Sequence, residues 1–525
     1  MPGISSPGAF VSALLPDLVL AGGTLLLLLL TVVRPQQTVL GRAEGAERTA
    51  FITRVALGVV LLVGATVVMS WMNGIAGTTD QRIAGDGFRW AIDLIVIAGT
   101  ACTLMLVDTE HEKSHAFGPE IPVLLLLSLS GMMLLAAARD LMLVFLGVEL
   151  MSLAVYVLAA VNRRSARGAE AAIKYFLLGA FSTGFMLYGM ALLFGATGST
   201  KLVDIAAWNA ANPAGNALFM TGLGLLLVGF AFKVAAAPFH LWTPDVYDGA
   251  PLPITAFMAA VVKTAAFAMF ARVFYEALGG SVERWHSVLW WLAALTMVVG
   301  NVFALAQKNL TRLVAYSSIA HAGYLMVALL SPSQASSTAI VFYLVAYTLT
   351  TMGTFAVLIS VNGGRDQSPT LADVTGLWQS RPMLAVAMAV FMLSFLGLPL
   401  VGGMGFFAKW YVLQAALQQS APQTVLAVIL VLSSVVSAGY YLSVVSAMFM
   451  KDRPEHIAIP APPRPMATTL IALAVIALLV LGVYPTPVAN LARRSAPTGS
   501  PGSTGLGSAQ VASPSAAAAT ASLRP

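Results

Sequence analysis

The chain has 525 residues, of which 58% are hydrophobic and only 10% are charged. A soluble domain carries about 25% charged residues, so this composition predicts a protein whose solvent is lipid. The formal net charge is +6, but the basic residues are scattered without a basic block, which does not favour nucleic acid as a partner. Cys102 is the only cysteine, so this chain forms no disulfide of its own and no Cys-ligated iron–sulfur cluster. Any redox chemistry must therefore reside on other chains.

Apolar runs long enough to cross a bilayer follow one another along the chain. The count is fourteen, and because this number is even, both termini are expected on the same side. We take the first run as a retained helix, since no basic segment precedes it. The runs lie at about 11–33, 50–71, 88–107, 121–138, 141–161, 171–197, 217–237, 252–277, 287–305, 313–330, 337–361, 384–415, 422–449 and 466–486.

Lys and Arg are distributed unequally between the loops. We count fifteen in the loops after odd-numbered runs and nine on the other side, which predicts odd loops in the cytoplasm and both termini outside. Residues 1–494 are predicted to form a single transmembrane domain. Residues 495–525 are rich in Ala, Ser, Gly and Pro and are predicted to be a disordered tail.

Two of the runs are interrupted by Pro and Gly. The seventh breaks after Lys233 at AAAPFHLWTPDVYDGAPLP, and the twelfth breaks at GLPLVGGMG before Lys409. Broken helices five runs apart are typical of an inverted-repeat transporter, with runs 4 to 8 (about 121–277) and 9 to 13 (about 287–449) as the repeats. The alternative is two unrelated kinks.

Four of the eight lysines lie inside apolar runs: Lys174, Lys233, Lys263 and Lys409. A lysine at a helix centre costs roughly 2.5 to 3.5 kcal/mol on insertion scales, and such residues usually have a function. Desolvation allows a lysine to release its proton, which an arginine does not do. The pattern therefore predicts a proton or cation translocator.

Glu149 is centred in the fifth run, and its nearest candidate partner is Lys233. We expect the two to act as a switch in which Lys233 holds its proton when Glu149 approaches and releases it when Glu149 withdraws. The alternative is a static structural ion pair. Lys263 would be a relay, and Lys409 the last station; the alternative for Lys409 is snorkelling to the interface.

Three further residues, His321, Lys174 and His240, are candidates for the polar interior. His321 lies in AYSSIAHAGY in the tenth run and is predicted to order water between lysine sites, the alternative being a satisfied core histidine. Lys174 is near a helix start, where snorkelling is an equal alternative. His240 is on the first break. The thirteenth run offers only Ser and Tyr, and no P-loop, dinucleotide motif or metal-ligand spacing occurs.

The segments FKVAAAPFHLWTPDVYDGAPLPITAFMAAVVKTAAF and NVFALAQKNLTRLVAYSSIAHAGYLMVALL resemble the subunit N family of proton-pumping NADH-quinone oxidoreductase, respiratory complex I. The sequence PFHLWTPDVY resembles subunit N more closely than it resembles the sister antiporter-like subunits. Lys409 also favours N over subunit M, which typically has Glu there.

The resemblance implies an all-α polytopic membrane protein with two inverted five-helix repeats and a hydrated polar axis. It implies that Glu149, Lys233, Lys263 and Lys409, with His321 as a link, translocate protons. It places FMN, iron–sulfur clusters and quinone in partner subunits of the complex, which include the sister antiporter-like subunits, in a bacterial plasma membrane. The alternatives are a subunit of a multisubunit sodium/proton antiporter and a structural membrane scaffold.

Overall fold

The structure is a computed structural model that describes residues 7–33, 42–75, 82–110, 117–162, 164–399, 403–419, 421–455 and 457–495. Within these ranges the chain is helical, and three isolated bridges are its only β-type pairings. The first half contains α1 (Pro7–Val33), α2 (Arg42–Met72), α3 (Gly87–Glu110), α4 (Glu120–Ala137), α5 (Leu141–Ala159), α6 (Ala166–Thr197), α7 (Leu202–Ala211), α8 (Ala217–Lys233), α9 (Trp242–Gly249), α10 (Leu252–Phe257) and α11 (Lys263–Glu276). The second half contains α12 (His286–Leu305), α13 (Leu310–Leu329), α14 (Gln334–Asn362), α15 (Leu371–Val374), α16 (Leu377–Ser380), α17 (Pro382–Leu396), α18 (Gly403–Leu417), α19 (Thr424–Met450), α20 (Pro465–Val483) and α21 (Thr486–Arg493).

Each of the fourteen predicted runs corresponds to one helix or to a pair of consecutive helices. In the described ranges, eleven helices are long and apolar enough to cross a membrane, one of which is the continuous stretch Leu252–Glu276. In the seventh run α8 ends at Lys233, and the broken segment that follows contains α9. The twelfth run is α17 followed by α18. The predicted polytopic all-α fold, with breaks in the seventh and twelfth runs, is therefore confirmed.

Two helix caps reveal the internal repeat. Asp140 caps α5 by accepting from the Met142 amide at 2.9 Å, and Asn309 caps α13 by accepting from Thr311 at 2.9 Å. Each cap residue also forms an isolated bridge, Asp140 with Lys201 and Asn309 with Thr370, and each pair is separated by 61 residues. The start of the second helix of each repeat, α5 or α13, is therefore paired in the same way with the segment that follows the third helix, α6 or α14.

Helix packing repeats as well. The first two helices of each repeat pack together, α4 on α5 and α12 on α13. The third helix packs on both halves of the broken one, α6 on α8 and α9, and α14 on α17 and α18. A five-helix unit crosses the membrane an odd number of times, so the second unit begins on the opposite side. The two repeats are inverted for this reason.

Glycines allow the first two helices of each repeat to approach closely. A Cβ on Gly131 would lie 2.5 Å from the Met151 amide of α5, and one on Gly300 would lie 2.5 Å from the Ala320 amide of α13. The two glycines stand nine residues before Asp140 and Asn309. Small residues of this kind permit backbone contact between membrane helices, where packing replaces the hydrophobic effect as the driving force.

Three arginines counted as loop or flanking charges are buried or partly buried in ion networks. Arg272 is fully buried in α11 and contacts Asp86 at 2.8 Å and Glu276 at 2.6 Å, while Arg139 contacts Asp86 at 3.1 Å. Burial raises the pKa of Asp86, but the charges of Arg272 and Arg139 hold it well below its usual range. Arg89 is fully buried in α3.

Arg89 pairs with Asp93 at 3.4 Å and with Asp17 of α1. Arg89 and Arg272 are two of the nine Lys and Arg residues that the sequence count assigned to the side opposite the loops after odd-numbered runs. Their assignment to loops was wrong, because both lie inside helices, where carboxylates hold their guanidinium groups. Arg48 and Arg54 likewise lie inside α2. The predicted boundary between the membrane domain and the tail stays a prediction, since 496–525 lie outside the described residues.

We expect Arg272→Gln to lower the thermal unfolding temperature of the purified protein in detergent. The substitution leaves the buried Asp86 and Glu276 short of a counter-charge, and breaking a buried pair in this way costs about 3–5 kcal/mol. The matched control is Arg365→Gln, because Arg365 is 53% exposed and pairs with Asp373 outside the spanning helices. Exposed pairs contribute about 0–1 kcal/mol. Equal unfolding temperatures for the two variants would contradict a stabilising role of the network.

Candidate functional site

Lys233 is the last residue of α8, at the first helix break. Pro238 prevents the helix from continuing regularly, and Ala235 takes a left-handed conformation with φ of 60°. The Lys233 side chain is only 7% exposed, and its Nζ donates to Ser152 Oγ at 2.8 Å and to Tyr156 Oη at 3.4 Å. The break therefore presents an ammonium group to one face of α5.

Glu149 lies on α5 one turn before Ser152, the hydrogen-bond partner of Lys233. No Lys or Arg nitrogen within the described ranges lies within 4.0 Å of the Glu149 carboxylate. The expected partners are thus brought to the same part of the bundle without a direct ion pair. In this conformation Lys233 donates to the hydroxyl of Ser152, whereas in a static ion pair it would donate to the carboxylate of Glu149.

Lys263 follows directly on a π-helical turn at Met258–Val262, between α10 and α11. Such turns are rare and are frequent at functional sites. The side chain is 3% exposed, and Nζ donates to the Ser318 carbonyl at 2.7 Å and also contacts Ser318 Oγ. Tyr347 of α14 donates to the same Ser318 hydroxyl at 2.8 Å. Lys263 therefore bridges from the first repeat to helices α13 and α14 of the second.

His321 of α13 lies between two tyrosine hydroxyls. Its Nδ1 shares a hydrogen bond of 2.5 Å with Tyr343 Oη, and its Nε2 shares one of 3.1 Å with Tyr441 Oη. Tyr441, on α19, also contacts the Ser317 hydroxyl. The imidazole is therefore part of a hydrogen-bonded series that includes Ser317, next to Ser318, the residue that holds Lys263.

Lys409 lies on α18 beside the second helix break. Its Nζ donates to the carbonyl of Leu396 at 2.8 Å and lies 5.1 Å from the ring centre of Tyr324. Leu396 is the last residue of α17, where the helix leaves carbonyl groups without intrahelical partners. A cavity of about 10 Å³ separates Lys409 from His321, close to the volume that one water molecule needs.

Among the described residues, several buried polar atoms around the first break have no hydrogen-bond partner. They include His240 Nδ1, Trp242 Nε1 and Thr243 Oγ1 on the break, and Ser182 Oγ and Thr183 Oγ1 on α6. Buried polar groups in native proteins are usually hydrogen-bonded to protein or to ordered water. The cluster therefore favours a hydrated interior beside Lys233.

Lys174 is not part of this interior series. Its side chain is 41% exposed and pairs with Glu170 at 2.7 Å and with Asp245 of α9 at 2.9 Å. Arg312 of α13 binds Asp245 at 2.8 Å, and the group surrounds a polar cavity of about 140 Å³. Lys174 therefore links α6 to α9 at the surface.

Four tyrosines that the sequence reasoning missed complete the site. Tyr156, Tyr343, Tyr347 and Tyr441 are each at most 6% exposed and contact Lys233, His321 or the Ser318 hydroxyl. The thirteenth run, to which no role was assigned, supplies Tyr441 through α19. The i, i+4 spacing of Tyr343 and Tyr347 was the available signal, because it places two hydroxyls on one helix face.

The sequence profile of the family described as "NADH:quinone oxidoreductase/Mrp antiporter, TM" matches residues 138–445. A relative from Gemmatimonas aurantiaca named NADH-quinone oxidoreductase subunit N is 64% identical over 95% of this chain and 96% of its own length. A chain of respiratory complex I from Thermus thermophilus with bound aureothin is similar in structure, with a TM-score of 0.76 and 38% identity over 91% of this chain and 99% of that one.

A chain of the Mrp complex from Dietzia sp. also has a TM-score of 0.76, over 93% of this chain and 97% of that one. Its identity is only 20%, so this likeness establishes the fold alone. The sequence relationship to subunit N is much stronger. The sodium/proton antiporter alternative is therefore not favoured.

We expect Gly405→Ala to lower the thermal unfolding temperature, because the added Cβ would clash with the Ser394 carbonyl. The clash would separate α18 from α17 one turn before Lys409 and lengthen its contact with the Leu396 carbonyl. Gly224→Ala in α8 is the control, since nothing lies within 4 Å of its added Cβ; a glycine in an open helical position is disfavoured relative to alanine. An unfolding temperature for Gly405→Ala at or above that of Gly224→Ala would show that close packing at the second break is unnecessary.

Proposed function

Because the chain belongs to the NADH-quinone oxidoreductase subunit N family of antiporter-like membrane subunits, we propose that Glu149, Lys233, Lys263, His321 and Lys409 carry protons through it. The chain is a membrane subunit of a proton-pumping complex, and this proposal assigns the residues that perform the pumping. The observation that supports it best is the set of contacts made by the three interior lysines.

Each interior lysine donates to a neutral oxygen. Lys233 binds hydroxyl groups, Lys263 binds Ser318, and Lys409 binds a main-chain carbonyl. Among the described residues, none of the three lies within 4.0 Å of a carboxylate. A buried lysine of this kind can lose its proton without leaving a paired carboxylate unneutralised, which a static ion pair does not permit. These contacts therefore favour exchangeable protons over structural pairing.

In the proposed mechanism Lys233 alternates between two partners on α5. Ser152 is one partner and Glu149, one helical turn away, is the other. Approach of the carboxylate favours protonated Lys233, and its withdrawal leaves the ammonium among neutral groups, which favours release of the proton. The unpaired polar atoms around His240 and Thr243 would be solvated by the water that receives this proton.

The second repeat would continue the route through hydroxyl groups. Lys263 contacts Ser318, and the neighbouring Ser317 contacts Tyr441, which binds His321. A hydroxyl accepts one proton while it donates another, so such a series conducts protons without moving heavy atoms far. One water in the cavity beside His321 would complete the connection to Lys409.

We assign Lys174 a positioning role. It is held by Glu170 and Asp245, and Asp245 also binds Arg312. Because α9 is the second half of the first broken helix, this cluster sets the position of the break relative to α6 and α13. Lys174 would thus affect pumping through α9 without carrying a proton.

The redox centres of the complex are proposed to lie in partner subunits. FMN, the iron–sulfur clusters and quinone would be bound there, since the single Cys102 of this chain cannot ligate a cluster. The partners would include the other membrane-arm subunits and the sister antiporter-like subunits. On this proposal the chain is a non-redox part of the translocase.

The chain is a multi-pass membrane protein, and we place it in the bacterial plasma (inner) membrane with both termini outside. The support is the excess of Lys and Arg in the loops after odd-numbered runs. Within the chain, residues 1–494 would form the single membrane domain, with repeats at about 121–277 and 287–449, and residues 495–525 a separate tail.

Replacing Lys233, Lys263 or Lys409 by Ala should abolish or strongly reduce the number of protons pumped per NADH. Assembly should be retained, because no carboxylate is left without its partner. Lys174→Ala should have a smaller effect, since Asp245 keeps Arg312. The measurement is proton uptake per NADH oxidised by the whole complex in proteoliposomes.

The matched control for this series is Lys308→Ala, because Lys308 is exposed between α12 and α13. It should pump like the wild type. A wild-type proton-to-electron ratio in Lys233→Ala would refute the proposed route, and unchanged pumping in both Lys263→Ala and Lys409→Ala would favour a structural scaffold.

The assignment of redox centres to partners is tested with an affinity tag placed after Pro525. We expect the assembly purified in mild detergent to contain flavin and iron and to catalyse NADH-dependent quinone reduction. Co-purification of small membrane subunits without flavin or iron would instead support a multisubunit sodium/proton antiporter.

A further inference from the structure

A long apolar groove lies between α17 and α20, away from the proton route. Its volume is about 520 Å³, within the range of about 300–1,000 Å³ typical of small-molecule sites. Its walls are mainly aliphatic, from Val386 and Ala387 on α17 and from Ile471, Ala472 and Val475 on α20. Nothing in the proposed mechanism uses this groove.

One end of the groove is polar and positively charged. Arg381 immediately precedes α17, and Ser380 and Thr468 lie beside it. The Arg381 guanidinium donates through Nε to the Pro460 carbonyl at 3.0 Å. Its two terminal nitrogens make no hydrogen bond within the described ranges. These nitrogens remain able to donate to an anion. A guanidinium group can bind a phosphate through two hydrogen bonds at once.

The position of the charge relative to the bilayer is defined by the helices. The apolar helices α17 and α20 both begin at this end, with Pro382 and Pro465 as their first residues. Arg381 therefore lies where the polar boundary of the membrane meets the apolar groove. The positive ends of the two helix dipoles add to the attraction of Arg381 for an anion.

We infer that the groove between α17 and α20 binds one anionic phospholipid, with its phosphate against Arg381 and an acyl chain along the aliphatic walls. Basic pockets between membrane helices are suited to anionic headgroups. A free phosphate would leave the apolar walls unexplained.

Two substitutions separate the contributions of the acyl chain and the headgroup. Ala472→Phe fills the groove, and its control is Leu473→Phe, because Leu473 is 58% exposed and does not line the groove. Arg381→Gln removes the charge, and its control is Lys451→Gln, an exposed cation at the end of α19. All four variants are made in the whole complex, purified in mild detergent.

The readouts are phospholipid content per complex by native mass spectrometry and titration of the delipidated complex with phosphatidylglycerol or phosphatidylcholine. We expect Ala472→Phe to retain one anionic phospholipid fewer than Leu473→Phe and the wild type. Arg381→Gln should bind phosphatidylglycerol about five- to tenfold more weakly, since one cation near the headgroups contributes about this factor. Binding of phosphatidylcholine should weaken less, because its choline group compensates the charge of its phosphate.

Three results would overturn the inference. The first is equal lipid content in Ala472→Phe and Leu473→Phe. The second is that the wild-type complex shows no preference for phosphatidylglycerol over phosphatidylcholine. This result does not depend on the folding of any variant. The third is loss of a neighbouring subunit from Ala472→Phe at unchanged lipid content, which would make the groove a protein interface. None of these readouts depends on proton pumping, so the proposed function is judged separately.

Discussion

The site depends on two interruptions of backbone hydrogen bonding inside an apolar bundle. At each interruption a helix end leaves carbonyl groups without intrahelical partners, and a lysine is located there. Lys409 donates directly to such a carbonyl, that of Leu396, whereas Lys233 at the end of α8 turns to hydroxyls of α5. The broken helices thus provide polar surroundings for a charge that a continuous apolar bundle would exclude.

The inverted repeat places one helix break, with its lysine, in each half of the bundle. Equivalent caps at Asp140 and Asn309 and equivalent glycines at Gly131 and Gly300 give both units the same internal packing. Contacts between the units include that of Arg312 with Asp245 and that of Lys263 with Ser318 of the second repeat. The second contact links an interior lysine of the first repeat to the hydroxyl groups of the second.

Charge is handled differently in the two regions of the bundle. In the network of Asp86, Arg139, Arg272 and Glu276, opposite charges are in direct contact, so removal of one member is costly and protons are not expected to move. Along the lysine series the partners are neutral oxygens, so each ammonium depends on its surroundings for stability. The first arrangement suits anchoring of helices, and the second suits a change of protonation.

The class of protein, the fourteen runs, the two breaks and the interior lysines can be predicted from the amino-acid sequence. Each of these follows from local properties: apolar length, the inability of proline to continue a helix, and the cost of charge in lipid. The contact partners of these residues, in contrast, follow from the packing of the helices. Lys233 contacts Ser152, one helical turn from Glu149. Lys174 lies at the surface, Arg89 and Arg272 are buried, and Tyr441 contacts His321. Such pairings depend on distances between helices remote in sequence, and no periodicity within one helix encodes those distances.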